Sequence, residues 1–180
     1  MLKQKETYDY LNKFAKYVIQ QSKSNLTRQG KRNQGDLYNS LGSQIEVGKN
    51  SFRLTFLMED YGTFVDKGVK GKTSSTRAPK SPYKFGSGTG GTGGLTKGID
   101  KWVKQKRIQF KQKEGKGVKG QFLSYNQTSF LIRRAIWNKG IKSSLFFTKP
   151  FEAAFKNLPD EIVEVFALDI ENLMKHSLKK

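Results

Sequence analysis

From Ser129 to Phe155 the chain reads SFLIRRAIWNKGIKSSLFFTKPFEAAF, and no other stretch of it is so densely specified. Leu131, Ile132, Ala135 and Ile136 recur at helical spacing with Arg133 and Arg134 off the stripe, which predicts a short amphipathic helix. Thr128 suits its N-cap. Gly140 sits where a C′ residue stops a helix, and Lys139 suits the negative end of the dipole. Phe146, Phe147 and Phe151 straddle Lys149-Pro150, so the chain is expected to run extended as an aromatic strand before Pro150. Just after it a second helix begins, continued by Ala153, Ala154, Phe155 and Leu158. Phe147 and Phe151 are the expected centre of the domain. Trp137 suits a core edge better than a stacking site for a base.

The flanking segments supply partners for this stretch. Residues 6 to 28 read as an amphipathic helix, with Leu11, Phe14, Ala15, Val18, Ile19 and Leu26 on one stripe and Lys13, Lys16 and Lys23 off it. The run TRQGKRNQG breaks it. Asp36 then suits the N-cap of a short turn that puts Leu37 and Leu41 on one face. Residues 43 to 48 and 52 to 58 alternate as a hairpin, with Ile45, Val47, Phe52, Leu54 and Phe56 inward and Gly-Lys-Asn-Ser between. Glu59 to Gly71 follows as a tight, glycine-led segment with Tyr61, Phe64 and Val65 as apolar anchors. The last helix, 159 to 177, opens with Pro159, Asp160, Glu161 and Glu164 at its positive end. Its apolar face is Ile162, Val165, Phe166, Leu173 and Met174, and Lys175, Lys179 and Lys180 load its far end.

Between these blocks the composition changes. The 180 residues carry a formal charge of +19, and residues 70 to 149 alone hold 19 Lys/Arg against Asp100 and Glu114. Such a block attracts polyanions or acidic protein faces; a solvated lysine-rich loop is the plainer alternative. The tract from 72 to 98 is Pro-, Gly- and Thr-rich, and 111 to 125 is Gly- and Lys-rich, so both are expected to be flexible arms that order on a partner. Between them Thr96 suits the N-cap of a helix over 97 to 110, with Ile99, Trp102 and Val103 on one stripe. Lys101, Lys104, Lys106 and Arg107 occupy the rest of that helix. With Trp102 they are the candidate contacts to nucleic acid or an acidic partner. Trp102 suits a peg that fixes a surface helix to the domain better than a stacking group.

No reaction is named by these residues. The absence of Cys removes disulfides and thiolate sites, and His176 lies in a lysine-rich end that suits a solvated side chain. The glycines from Gly86 to Gly98 lack the GxxxxGK[ST] spacing of a phosphate loop. Glu59 and Asp66 have no visible partners to raise one carboxyl, so surface or subunit contact suits them better than hydrolysis. No cofactor, metal or small-molecule ligand is expected. The opening MLKQKETYDY has no apolar signal region, and no run of eighteen apolar residues suggests a membrane span.

Four blocks in order carry a resemblance. They are the opening helix with GDLYNSL before a strand pair, Tyr-Gly-x-Phe-Val-Asp-x-Gly at 61 to 68, IRRAIWNKGIKSSLFF, and KPFEAAF leading into a terminal helix. Together they resemble the tail-completion, or head–tail joining, neck proteins of tailed bacteriophages over about half the chain. Asp66-Lys67-Gly68-Val69 departs from the family's Glu-x-Gly-Thr, and the basic excursion at 70 to 125 is unusually long. The resemblance implies an α+β fold, a small curved antiparallel sheet packed against N- and C-terminal helices with a long basic Gly-rich loop excursion, as one domain over 1 to 180. It further implies a non-enzymatic homo-oligomer closed into a ring, assembled in the host bacterial cytoplasm and carried in the virion neck or tail. Its partners would be neighbouring connector and tail rings, with packaged or translocating DNA as a further contact. Tyr61, Phe64, Asp66, Lys67, Phe146 and Phe147 are the candidate subunit contacts. The alternative is a basic nucleic-acid-binding module using Lys97 to Lys119.

Overall fold

The computed structural model describes residues 5–31, 35–48, 51–87, 94–112 and 120–177. Several expectations fall outside them: the hairpin's Lys49 and Asn50, the glycine tract at 88–93, Glu114 with the run to Lys119, and Lys179 and Lys180. The side chains of Leu173, Lys175 and His176 also lie outside the described residues. The fold is α+β, with helices at both ends of the chain. Where the sequence suggests one domain, the chain divides into two compact units: Met1–Asp66 with Ser144–Lys180, and Lys67–Ser143. The second is thus inserted into the sequence of the first.

In the first unit, α1 (Lys5–Arg28) buries Leu11, Phe14, Ala15, Val18 and Leu26 of the stripe its spacing predicts, adds Thr7 and Ser22, and leaves Ile19 half-buried. Ser22 reaches this face because its Oγ donates to the Val18 carbonyl at 2.7 Å. The short α2 (Asp36–Ser40) follows Gly35, which occupies the cap position, so Asp36 is the first helical residue and caps nothing. β1 (Gly42–Val47) and β2 (Phe52–Leu57) form the expected antiparallel hairpin in the register Gly42↔Leu57 to Val47↔Phe52. Phe52, Leu54 and Phe56 are half-buried and their neighbours exposed, but Val47 at the hairpin end is exposed too. Then come α3 (Gly62–Lys67), α6 (Thr148–Phe155) and α7 (Leu158–Ser177).

Aromatic rings join these elements. Phe56 on β2 stands edge-on to Phe14 of α1, to Phe147 and to Phe151, with centroids 6.4, 5.2 and 5.9 Å away. Phe151 in turn stacks on Phe147 and Phe155 at 5.8 and 5.5 Å. Beneath this layer Phe146 is wholly buried with Leu26, Leu37 and Leu41. The terminal helices meet at α1, where the buried Asp169 of α7 accepts from the Glu6 N–H (3.2 Å) and the Thr7 N–H (2.9 Å). Thr7 Oγ1 donates to it as well, at 2.8 Å. Tyr10 donates to Glu161, and burial together with that carboxylate pushes its phenol up to about 12.

The second unit starts on a two-stranded stem, β3 (Val69–Lys70) paired antiparallel with β4 (Gly140–Ile141). Gly140 has φ 82°, and a Cβ there would lie 2.3 Å from the Val69 carbonyl oxygen; at Gly68, φ 72°, it would lie 2.5 Å from that of Ile141. Only glycine permits so close a pairing. The tract from 72 to 87 folds back on this stem instead of standing off as an open arm. Ser81 is buried and its Oγ donates to the Gly68 carbonyl (2.7 Å), Lys70 N–H donates to Tyr83, Phe85 N–H donates to Lys70, and Ala78 is buried. The base of the second arm is also paired, Gln112 N–H to Gln121 and Leu123 N–H to Phe110, both at 2.8 Å.

Helix limits differ from expectation for local reasons. α4 (Gly94–Gln105) already includes Thr96, and it ends early because Arg107 takes φ 51° while Ile108 N–H reaches back to the Val103 carbonyl. α5 (Tyr125–Lys139) begins before Thr128. Ser124 Oγ accepts from Gln127 N–H while the Gln127 side chain accepts from Ser124 N–H, a reciprocal capping box. Its inward face is Thr128, Ser129, Ile132 and Ile136; Leu131 and Ala135 are exposed and Arg133 half-buried, so the predicted stripe is rotated. No strand forms at 145–147, where Leu145 has φ 49°.

The core centres on Phe146, not on the half-buried Phe147 and Phe151. Phe146→Ala is expected to cost about 3–5 kcal/mol and Phe151→Ala clearly less in urea denaturation; the reverse order would place the centre elsewhere.

Candidate functional site

Helix α3 presents two faces. Tyr61, just before it, and Phe64 and Lys67 are exposed, while Asp66 is buried. The Asp66 carboxylate sits at the start of α6, whose own cap residue, Phe147, offers no side-chain hydrogen bond. Oδ1 accepts from the N–H groups of Phe147 (2.9 Å) and Thr148 (3.2 Å), and Oδ2 accepts from the Thr148 hydroxyl. These are orphan donors of a helix N-terminus, where a negative charge also meets the favourable end of the dipole. The Asp66 backbone carbonyl accepts from Ser144 (3.0 Å) and Leu145 (2.9 Å), and Ser144 Oγ donates to Val65 (2.6 Å). From α1, Asn25 Nδ2 donates to Phe146 and Gln29 Nε2 to Ser144. One aspartate therefore ties the point where the chain leaves the first unit to the point where it returns.

This geometry divides the six candidate subunit contacts. Asp66 and Phe146 are withdrawn into the chain's own interior. Phe147 is half-spent on the aromatic stack, and Tyr61, Phe64 and Lys67 remain at the surface. Partial burial raises the Tyr61 phenol above its ordinary value, a hydrogen bond with the Leu37 backbone opposes the rise, and Asp36 and Glu59 add to it.

In the second unit, Val103 is fully buried, Ile99 and Trp102 half-buried, and Lys97, Lys101, Lys104, Lys106 and Arg107 exposed. Lys97, Lys101 and Lys104 follow one another at spacings of four and three, a row about 10 Å long. No carboxylate among the described residues pairs with Lys101, Lys104, Lys106 or Arg107. Asp100, the acid nearest to them in sequence, instead accepts from the buried Ser129 hydroxyl of α5 and holds the two helices together. Trp102 is half-buried, and the fully buried residue of α4 is its neighbour Val103. The exposed aromatics of this unit are elsewhere: Phe110, Phe122 with the Lys111 ammonium 5.5 Å from its ring, Phe130, and Trp137 against Phe85 at 5.4 Å. Sequence spacing gave no hint of the Lys111–Phe122 pair, because the residues meet only across the arm's paired base.

The arrangement can attract anions and cover apolar surface. Among the described residues no group of three or more His, Asp or Glu side chains could hold a metal ion, and no helix is long and apolar enough to cross a membrane. An open groove of about 600 Å³ on the first unit is lined by Lys16, Lys23 and Arg28 of α1 with Tyr38, and holds no acid–base pair. No family model matches the chain, no curated protein matches it, and no solved structure does.

Removing the clasp tests its role. Asp66→Ala strands two part-buried N–H groups and a hydroxyl and is expected to lower unfolding free energy by about 2–3 kcal/mol. Asp66→Asn, which keeps an acceptor, should lose less. A loss for Asp66→Ala within about 0.5 kcal/mol, the range of an ordinary surface change, would show that α6 is capped by other means.

Proposed function

We propose that this chain is a non-enzymatic virion structural protein that forms a ring in the neck or upper tail of a tailed bacteriophage, joining the head connector to the tail around the DNA path. The ordered resemblance of four blocks supports this reading, and one structural observation carries it furthest: the segregation of charge by unit. The inserted unit holds 19 Lys/Arg against Asp100 and Glu114, and its α4 row is turned outward with no carboxylate partner among the described residues. A cationic surface that does not read sequence suits a ring subunit that meets DNA, and apolar surface suits contact with its neighbours. Phe64 and Tyr61 on one unit, and Phe130 and Leu131 on the other, provide exposed apolar surface of that kind. Assembly takes place in the host bacterial cytoplasm, and connector and tail rings are the partners.

A nucleic-acid-binding module is the second reading. It is favoured by Arg107, whose positive φ costs about 1 kcal/mol or more for a non-glycine residue and holds a cation at the end of the lysine row.

Mass photometry and negative-stain imaging of the purified full chain separate the two. The ring reading expects closed oligomers that grow with concentration. The module expects a monomer that binds DNA at micromolar affinity, weakening about 100-fold between roughly 50 and 200 mM salt if about four phosphates are neutralised. In that case Arg107→Gly should retain the fold and weaken binding. A monomer at every concentration would overturn the ring.

A further inference from the structure

We propose that α7 of one copy docks on α5 of the next copy, an apolar helix pair steered by opposite charge; the inference rests on the ring reading above. On α7, Val163, Phe166, Ile170 and Met174 follow one another at spacings of three and four, and all four are exposed, Val163 by 67% and Met174 by 63%. They form one stripe about 16 Å long on the helix surface. Asp160 and Glu164 run beside that stripe, also exposed, while Ile162, Val165 and buried Asp169 occupy the side turned to the first unit. The face that α7 leaves uncovered is thus apolar with an acidic border.

The second unit carries a face of the opposite sign. On α5, Phe130 and Arg134 stand one turn apart and Leu131 beside them, all exposed. Helix α4, against which α5 packs, turns only lysines outward in its row and offers no apolar face of its own. With 19 Lys/Arg against two acids, two copies of the second unit repel one another, so its apolar residues suit a partner surface that brings negative charge. Asp160 and Glu164, exposed beside the α7 stripe, supply it. The two faces differ, so a head-to-tail pairing can run from copy to copy until it closes, as the ring reading requires.

Charge exchange in the full-length chain tests this contact. Glu164→Lys and Arg134→Glu lie on exposed positions and should leave the melting curve unchanged. Each alone is expected to raise the apparent dissociation constant for self-assembly at least tenfold in sedimentation velocity. An equimolar mixture of the two should assemble again, because alternating copies pair every native Glu164 with a native Arg134 and every introduced lysine with an introduced glutamate. Phe166→Ser should weaken assembly without rescue by Arg134→Glu. If wild-type chains assemble and the variants assemble equally well, or the mixture fails to recover, this contact is wrong while the ring survives. Wild-type chains that stay monomeric overturn both, and assembly that stops at a twofold dimer overturns the heterologous pairing.

Discussion

A buried carboxylate at the start of a helix is what the first unit depends on. Asp66 gives up its hydration inside the chain, a cost of several kcal/mol for an ion. Three charge-assisted hydrogen bonds and the helix dipole offset that cost. The same device recurs at the other end of the unit, where buried Asp169 takes the first-turn donors of α1. Each cap is supplied from far along the sequence, so neither helix end is complete until the unit has folded. Capping here is a tertiary interaction, and it couples α3 to α6 and α7 to α1 alongside the phenylalanine layer.

This explains which parts of the fold were legible in the sequence. The α1 stripe, the hairpin register and the Gly140 stop follow from local periodicity and local sterics, and all three stand where residue spacing puts them. Asp66 was visible only as an acid in a glycine-led segment, since nothing near it in sequence announces a helix some eighty residues away. Asp169 drew no notice on α7, where a polar residue on the inward side breaks the apolar pattern. Residue spacing pointed to Thr128 as the cap of α5, but the Ser124–Gln127 capping box starts that helix and Thr128 is a buried first-turn residue. Low complexity misled at 72–87, because backbone hydrogen bonds and Ser81, not apolar bulk, hold that tract to the stem.

The candidate site was legible in a similar, partial way. Lys101 and Lys104 are exposed and Trp102 half-buried as the helical pattern requires, while Lys106 and Arg107 are exposed just past the end of α4. What the pattern could not supply was the fate of Asp100. Its use by Ser129 leaves the lysine row without a carboxylate from its own helix. The exposed apolar residues of α5 and α7 were likewise hidden, because periodicity identifies a stripe but does not say whether the chain itself will cover it. Val163, Phe166 and Met174 remain uncovered because Asp169, drawn inward to cap α1, fixes which side of α7 is buried.

That rotation has an energetic consequence for the inserted unit. Nineteen cations and two acids between Lys67 and Ser143 raise its free energy by self-repulsion, screened only beyond about 8 Å at physiological salt. Among the described residues its stem and helix pair stand against that repulsion with few buried apolar side chains: Val69, Ala78 and Val103. Any acidic surface or polyanion that binds it relieves part of the repulsion, so binding and stability are linked by mass action. An interface that brings Asp160 and Glu164 to this unit would therefore do more than cover α7: it would stabilise the cationic unit of its neighbour. In such an assembly each copy is a component of its neighbour's fold as well as of the ring.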